Sequence, residues 1–386
     1  QVQDAVRRHV LGVLTGAVSA LVGRDHPEAG RGQRGELVAP GVPGLREAVQ
    51  QHDERSLALL GDDHVLARAR TQFDIIVVDE FHHATATTYR RVLNHFKPKQ
   101  LLGLTATPER ADGLNVQNEF FDGRIAAEMR LWEALDNDLL CPFHYFGVPD
   151  GTDLSRLNWR SGAYDQSQLG DLFSADHARA RIVLKQVRDK VSDPMSMRAL
   201  GFCVTRKHAH FMAKCFQEAG IKAEALDSES KPETRDRILA ELKAGQIQVI
   251  FSVDLFNEGL DIPDVDTLLL LRPTSSATVF LQQLGRGLRR TPDKPVLTVL
   301  DFIGQHRAEF RFEEQFRAMT NLSRNRLLDH AEHGFPLLPS GCQIILEGKS
   351  KDIVLDNIRT QIKATVQTLA KEARAFDTPL LADYLR

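Results

Sequence analysis

Two arginines and a glutamine at fixed spacing give the strongest chemical signal in this chain of 386 residues. Gln282, Gly285, Arg286 and Arg289 form a Q-x-x-G-R-x-x-R array. Because residues three apart lie on one face of a helix, the array predicts two guanidinium groups on the same helix face. Such a pair can grip the phosphates of a nucleotide, and one arginine can stabilise the charge that develops during phosphoryl transfer. A solvated basic face is the alternative interpretation.

A pair of carboxylates lies far upstream of this array. Asp79 and Glu80 directly follow Ile75–Val78, four β-branched residues in a row. Such a run predicts a parallel strand that is buried on both faces. Since open α/β sheets bind ligands at the carboxyl ends of their strands, both acids lie at a candidate site. Asp79 could hold Mg²⁺, directly or through water, and Glu80 could orient or deprotonate an attacking water. A strand that ends in two solvated acids is the alternative.

Two further segments add to the pattern. A short apolar strand predicted over 101–104 runs into Thr105, Ala106 and Thr107 before Pro108 stops it, although a plain strand-to-loop turn has the same composition. Residues 199–300 alternate between predicted strands and helices, which favours a parallel sheet covered by helices on both faces. The loop after the strand predicted at 249–253 contains Gly-Leu-Asp-Ile-Pro, in which Gly259 lets the backbone approach a phosphate and Asp261 can meet a ribose hydroxyl.

These segments resemble motifs of the superfamily 2 DEAD/DEAH-box helicases, over roughly residues 73–315. Asp79-Glu80-Phe81-His82 is similar to the D-E-x-H sequence of motif II, the Walker B element. Thr105-Ala106-Thr107 resembles motif III, the segment from Gly259 resembles motif V, and the arginine array resembles motif VI. Residues 199–206, which end in Arg206, occupy the place of motif IV. Other short segments are similar to bacterial members that often carry a phospholipase-D-like nuclease domain ahead of the motor and an uncharacterised domain behind it.

The resemblance implies two RecA-like lobes that bind ATP and Mg²⁺ between them and act on nucleic acid, DNA rather than RNA. Asp79 would hold Mg²⁺ and Glu80 would be the catalytic base, with Arg286 and Arg289 reaching the nucleotide from the second lobe. The other residues expected to bind nucleotide are His82, Gln282, Gly259 and Asp261. Those expected to couple it to nucleic acid are Thr105, Ala106, Thr107 and Arg206. The implied function is an ATP-dependent helicase or translocase core, which steps along one strand as its lobes close and open.

One expected motif is missing. A helicase needs a P-loop, G-x-x-x-x-G-K-[S/T], whose amides cradle the phosphates and whose lysine reaches the β/γ oxygens. The first lysine is Lys97, downstream of motif II, and Gly348-Lys349-Ser350 lies beyond motif VI, where we expect a surface turn. Weak or absent ATPase activity is therefore expected for the isolated chain. Two alternatives stay open: a catalytically inactive fragment that acts only as a DNA- or protein-binding module, and the motor subunit of a restriction system.

The sequence predicts an α/β fold with two RecA-like lobes on parallel sheets, the first lobe incomplete, and a helical C-terminal segment. Residues 1–72 lack Ile, Lys and aromatic residues, and we expect an atypical, poorly packed segment with amphipathic helices over 2–21 and 49–66. An internal deletion together with an altered reading frame is favoured over a diverged lobe. The remaining boundaries are predicted as follows: the rest of the first lobe over 73–150, a linker over 151–175, the second lobe over 176–320, and a helical extension that stops short over 321–386.

Composition and charge limit the partners and the cellular location that can be expected for the chain. The net charge is −3, so contact with nucleic acid has to be local rather than driven by a basic field over the whole chain. No apolar run approaches the ~20 residues of a membrane span, and the first residues do not resemble a signal peptide. The widely spaced cysteines favour reduced core thiols and a cytoplasmic location. Three aromatic residues could stack on a base, although packing is the favoured interpretation: Trp132, Trp159 and Tyr164. Nuclease-like and C-terminal domains are expected in the parent protein, outside this chain.

Overall fold

The computed structural model describes residues 11–14, 73–79, 81, 87–105, 116–160, 162–253 and 265–362. The chain divides into two compact units, Gln1–Glu128 and Met129–Arg386. The predicted α/β fold with parallel sheets is confirmed in these ranges. None of the helices within them has both the length and the apolar character that a membrane crossing requires.

The first unit contains a small parallel sheet with the strand order β1-β2-β3. Its described elements are β1 (Leu11–Leu14), β2 (Ile75–Val78), α1 (Thr87–His95), β3 (Gln100–Gly103) and α2 (Val116–Phe121). The predicted β-branched strand is β2, whose residues Ile76, Val77 and Val78 are buried. Apolar side chains of Phe73, Phe81 and Phe96 pack around it in one cluster.

Strand β1 corrects one expectation. A helix was predicted over 2–21, but Leu11–Leu14 is a strand whose register pairs Leu11 with Ile75 and Leu14 with Val78. A short apolar run does not distinguish a strand from a helix by periodicity, and pairing with a neighbouring strand decides the outcome. The remaining expectations for residues 1–72, including the helix over 49–66 and the poor packing, lie outside the described residues.

The second unit is built on a large sheet whose seven strands run parallel in the order β12-β4-β11-β10-β7-β9-β8. Its strands are β4 (Phe143–Asp153), β7 (Ala199–Phe202), β8 (Ala223–Leu226), β9 (Val249–Ser252), β10 (Thr267–Leu270), β11 (Leu297–Gln305) and β12 (Gln343–Leu346), and a separate hairpin consists of β5 (Trp159–Arg160) and β6 (Ala163–Tyr164). Its described helices are α3 (Leu131–Asp136), α4 (Gln166–Phe173), α5 (His177–Lys190), α6 (Arg206–Glu218), α7 (Pro232–Lys243), α8 (Ala277–Gly285), α9 (Phe312–Thr320), α10 (Arg324–Glu332) and α11 (Lys349–Ile362).

Two predicted boundaries are wrong. Strand β4 was assigned to the first lobe, but it pairs with β11 and β12 in the large sheet. The predicted linker over 151–175 is instead folded into the second unit as the end of β4, the hairpin and α4. Although this segment is mostly polar, four of its side chains are buried: Leu154, Tyr164, Leu169 and Phe173.

The C-terminal extension is also more integrated than its helical pattern suggested. Strand β12 adds to the edge of the large sheet beside β4, and Val354 and Ile358 of α11 are fully buried. The Gly348-Lys349-Ser350 segment, predicted as a surface turn, begins α11. Its Ser350 is buried and donates a hydrogen bond from Oγ to the Gly147 carbonyl at 2.6 Å. This serine therefore attaches α11 to β4.

Candidate functional site

The strand ends that carry the predicted acids and threonines lie side by side in the first unit. The Leu104 amide donates to the Val78 carbonyl at 2.8 Å, and the Phe81 amide donates to the Leu104 carbonyl at 2.8 Å. These bonds continue the pairing of β2 with β3 beyond the strands. Asp79 directly follows β2 and Thr105 lies just beyond β3, both half-buried. The backbone thus places Asp79 and Thr105 at the same edge of the small sheet.

Phe81 fixes the chain just after the two acids. Its side chain is buried, and its ring lies 5.3 Å from that of Phe120 and 4.9 Å from that of Phe121. A Cβ atom on Gly103 would lie 2.6 Å from Cδ2 of Phe81, so the ring packs directly on the backbone of β3. The aromatic residue of the D-E-x-H sequence therefore acts as a packing anchor between the two strand ends.

The arginine array differs from its prediction. Helix α8 begins after Ser276, whose Oγ accepts from the Val279 amide, and it ends at Gly285. Arg286 is the C-cap residue, and Arg289 belongs to an isolated antiparallel bridge with Leu140. The two arginines therefore do not share a helix face. Glycine is a poor helix former, and the array contains two glycines where the helix stops.

Gly287 is required by packing, whereas Gly285 is not. A Cβ on Gly287 would lie 2.3 Å from Cδ1 of Leu297, a fully buried residue of β11, but a Cβ on Gly285 would meet no atom within 4 Å. We expect Gly287→Ala to lower the free energy of unfolding by about 1–3 kcal/mol through overpacking. Gly285→Ala is the matched control and should be neutral or stabilising by up to about 1 kcal/mol. Chemical denaturation of both variants checks this, and equal stabilities would contradict it.

Arg272 was missed by the sequence analysis. It lies two residues beyond the end of β10. The side-chain oxygen of Gln283, in the amide orientation that satisfies both groups, accepts from the Arg272 Nε and Nη2 atoms at 3.2 Å each. Gln283 is buried, whereas the neighbouring Gln282 of the array is half-buried. A cation directly after a predicted buried strand was the available signal. This pair ties α8 to the carboxyl end of β10.

Arg206 begins α6, after the N-cap residue Thr205. Its guanidinium forms ion pairs with Glu229 and, at 3.5 Å, with Asp227. About half of the Arg206 side chain is exposed, 49%. A nucleic-acid phosphate that binds Arg206 would therefore compete with two carboxylates of the same unit.

A buried charged group joins the strand ends of the second unit. The Arg179 side chain is 3% exposed and donates from Nε to Asp150 at 2.7 Å and from Nη2 to the Leu271 carbonyl at 3.0 Å. Its guanidinium also lies 4.0 Å from the ring centroid of Phe173. Arg179 thus connects α5 with β4 and β10. The available signal was its helical phase, because Arg179 shares a stripe with the buried Val183 and Val187.

Three titratable groups near the Arg179–Asp150 pair have strongly shifted pKa values. Burial raises the pKa of Asp301 to about 7, although a 2.6 Å hydrogen bond donated by Tyr145 acts against the rise. Burial lowers the pKa of His208 to about 3, and the Arg179 charge adds to this. Burial also lowers the pKa of His306 to about 3. The interior of the second unit therefore holds one carboxyl whose pKa is raised toward neutrality and two imidazoles whose pKa values are lowered.

Several predicted site residues cannot be placed. Glu80, His82, Ala106, Thr107, Gly259 and Asp261 lie outside the described residues. Their roles stay predictions.

Comparisons with known proteins agree with this architecture. Residues 182–291 match the family "Helicase conserved C-terminal domain", and residues 49–110 match "Type III restriction enzyme, res subunit". The second match begins upstream of residue 73, where the sequence resemblance was placed. It thus extends the similarity into the segment interpreted as atypical.

Curated relatives show the same relationship. The chain is 30% identical over 237 residues to IRC3 of Saccharomyces cerevisiae, whose name marks it as a proposed ATP-dependent helicase, covering 60% of this chain and 34% of that protein. It is 22% identical over 300 residues to the DNA 3'-5' translocase XPB2 of Sulfurisphaera tokodaii, covering 68% of this chain and 66% of the relative. The chain thus spans between about a third and two thirds of the length of these relatives.

A solved structure shares the fold. It is a fragment of a proposed HsdR subunit of a type I restriction enzyme from Vibrio vulnificus, with a TM-score of 0.53 and 19% identity, covering 77% of this chain and 52% of that one. At this identity the likeness concerns the fold alone. Taken with the sequence matches and the parallel sheets, it leads to one conclusion. The chain is similar to helicases of superfamily 2 over both matched segments.

Proposed function

We propose that the chain is the motor core of an ATP-dependent helicase or translocase that acts on DNA. The observation that carries the proposal is the shared sheet edge of Asp79 and Thr105, which the Leu104–Val78 hydrogen bond holds together. An acid and a hydroxyl at the carboxyl ends of adjacent parallel strands suit a nucleotide site. DNA is favoured over RNA because a relative matched over 68% of this chain is named a DNA translocase.

The described residues fit a magnesium ion. Asp79 is a half-buried carboxylate at a strand end, and Mg²⁺ prefers oxygen ligands and is usually held by one or two carboxylates together with substrate phosphates. Bound Mg²⁺ would supply positive charge against the phosphates. In this proposal Glu80 orients or deprotonates water, and Arg286 and Arg289 contact the nucleotide from the second unit. His82, Gln282, Gly259 and Asp261 complete the proposed nucleotide contacts.

The fit to the whole nucleotide is incomplete. No lysine precedes Lys97, so the sequence upstream of Asp79 offers no P-loop lysine for the β/γ-phosphates. In this proposal Asp79 and the two arginines provide the charge at the site. We therefore infer that this chain turns over ATP weakly.

We expect single-stranded DNA to raise a weak ATP hydrolysis by the chain, and Glu80→Gln to remove the DNA-stimulated part. The amide has the shape of the carboxylate but cannot accept a proton from water. Phosphate release with and without DNA measures the effect. Glu218→Gln, an exposed position on α6, is a control that makes the same chemical change away from the proposed site.

Two other outcomes would contradict parts of this proposal. Stimulated turnover that survives Glu80→Gln would contradict the catalytic base. Absence of turnover in every condition would contradict the enzyme and favour the second candidate, a module that binds DNA or protein without hydrolysis. The missing P-loop lysine is the observation that supports this second candidate.

A further inference from the structure

A small hairpin on the second unit presents one arginine to solvent. Strands β5 and β6 pair antiparallel, with Trp159 opposite Tyr164 and Arg160 opposite Ala163. Gly162 turns the chain with a φ of +79°, a conformation that suits glycine. Since side chains alternate between the faces of a strand, Trp159 and Tyr164 share one face and Arg160 and Ala163 the other. Arg160 and Ala163 are both exposed.

The inner face of the hairpin is firmly packed. Tyr164 is buried, its ring stacks on that of Phe310 at 6.2 Å, and the ring of Trp159 meets it edge-on at 4.8 Å. The Tyr164 hydroxyl accepts from the Arg307 amide at 2.9 Å. Both aromatic side chains are thus used for packing, the interpretation that the sequence favoured. They form a platform that holds the outer face in place.

The two ends of the hairpin are attached to loops beyond the strands of the large sheet. Arg307, which follows β11, donates from Nη1 to the Leu157 carbonyl at 3.2 Å. Ser275, in the loop after β10, donates from Oγ to the Gly162 carbonyl at 2.6 Å. The hairpin therefore lies at the carboxyl edge of the large sheet. Arg206, at the start of α6, follows the carboxyl end of β7 at the same edge.

Two exposed arginines lie in this segment, which is bordered by Asp153 and Asp165. Residues 154–164 contain Arg156 and Arg160 and no acidic residue. The Arg156 side chain is 91% exposed and reaches Asp153 only at 3.8 Å. Arg160 has no ion pair among the described residues, and its outward neighbours Gly162 and Ala163 are small. A guanidinium that is accessible on a rigid support suits the phosphodiester groups of a nucleic-acid strand.

We propose that the β5–β6 hairpin binds the phosphate backbone of single-stranded nucleic acid through Arg160, with Arg156 as a weaker second contact. The inference rests on the proposed function, because it adds a nucleic-acid contact to that motor. The contact assigned here is to phosphate oxygens, which carry no base sequence.

Arg160→Gln tests the assignment in the full chain. Fluorescence anisotropy with a labelled oligothymidylate and an oligouridylate, over a series of salt concentrations, gives the affinity and its salt slope. We expect roughly five- to tenfold weaker binding and a slope of log K against log salt that is smaller by about 0.7, the loss of one phosphate contact on a single strand. Arg188→Gln, an exposed arginine on α5, is the matched control and should behave as wild type. Thermal unfolding should be unchanged in both variants.

The outcomes separate the two proposals. If the wild-type chain binds and Arg160→Gln matches Arg188→Gln, the hairpin assignment is wrong and the motor proposal stands. If the wild-type chain binds neither oligonucleotide, both fail. A loss confined to the RNA strand would indicate a ribose contact and would overturn the phosphate assignment, whereas equal losses on both strands support it.

Discussion

Replacement of Arg179 by methionine is expected to lower the free energy of unfolding by about 3–5 kcal/mol, because it leaves the buried carboxylate of Asp150 without its ion-pair partner. The side chains of Arg179 and Asp150 are 3% and 1% exposed, and their nitrogen–oxygen distance is 2.7 Å. Methionine fills much of the same volume but leaves Asp150 with only the Thr152 amide as a described hydrogen-bond donor. Urea denaturation followed by far-ultraviolet circular dichroism measures the loss.

Two comparisons make this prediction specific. Arg237→Met breaks an exposed pair with Glu241 and should cost less than about 1 kcal/mol. The double variant Arg179→Met with Asp150→Asn should lose less free energy of unfolding than the sum of the losses in the two single variants. The double variant has no buried charge left unpaired, whereas each single variant has one. A cost for Arg179→Met no larger than that for Arg237→Met would show that the buried pair contributes little.

The second large effect is a pH dependence that originates at Asp301. Its pKa is about 7 in the folded chain, against a usual value of 3.8 for an aspartate carboxyl. Between these limits the folded state keeps a proton that the unfolded state has released, so this group's contribution to stability falls as pH rises from about 4 to 7. At roughly 1.4 kcal/mol per pKa unit the loss is about 4 kcal/mol.

Two histidines act in the opposite direction over the same window. The pKa values of His208 and His306 are both lowered to about 3 from the usual value of 6.5. Between about pH 3 and 6.5 both imidazoles are protonated in the unfolded state but remain neutral in the folded state. The contribution of these histidines to stability therefore rises with pH over this range. The wild-type profile is therefore a difference of opposing effects, and a variant is needed to expose the Asp301 contribution.

Asp301→Asn provides that variant. Its stability should rise more steeply with pH than that of the wild type, and the two profiles should diverge by about 4 kcal/mol between pH 4 and 7. Asp171→Asn, at an exposed position, should leave the wild-type profile unchanged. Denaturation midpoints across this pH range give both curves. Parallel profiles for Asp301→Asn and the wild type would contradict the raised pKa.

Sequence patterns predicted the elements whose structure follows from residue type and apolar spacing within the element. The run Ile75–Val78 is a strand because four β-branched residues suit a buried pleated surface, and the helices at 206–218 and 232–243 follow their apolar stripes. The acid after β2 and the threonine after β3 could be assigned to one sheet edge because parallel strands share their direction. These features need no knowledge of distant neighbours.

The features that were missed depend on long-range contacts. Strand β1 needs β2 as a partner, and the linker prediction failed because Tyr164 is buried by residues more than a hundred positions away. Arg286 and Arg289 lie beyond the last residue of α8, where the backbone of Gly287 packs closely against Leu297. No local pattern shows that the backbone of the array must contact β11.

Strand β12 also determines how the chain can be divided for laboratory use. The sequence placed the end of the helicase lobe at residue 320, but β12 covers the outer edge of β4, and Ser350 of α11 bonds to Gly147 on β4. An expression fragment that ends at residue 320 would leave β4 as an unprotected edge strand with the apolar sequence Phe-His-Tyr-Phe, a template for aggregation. A fragment meant to hold this lobe in solution should extend to Ile362, past the buried Ile358.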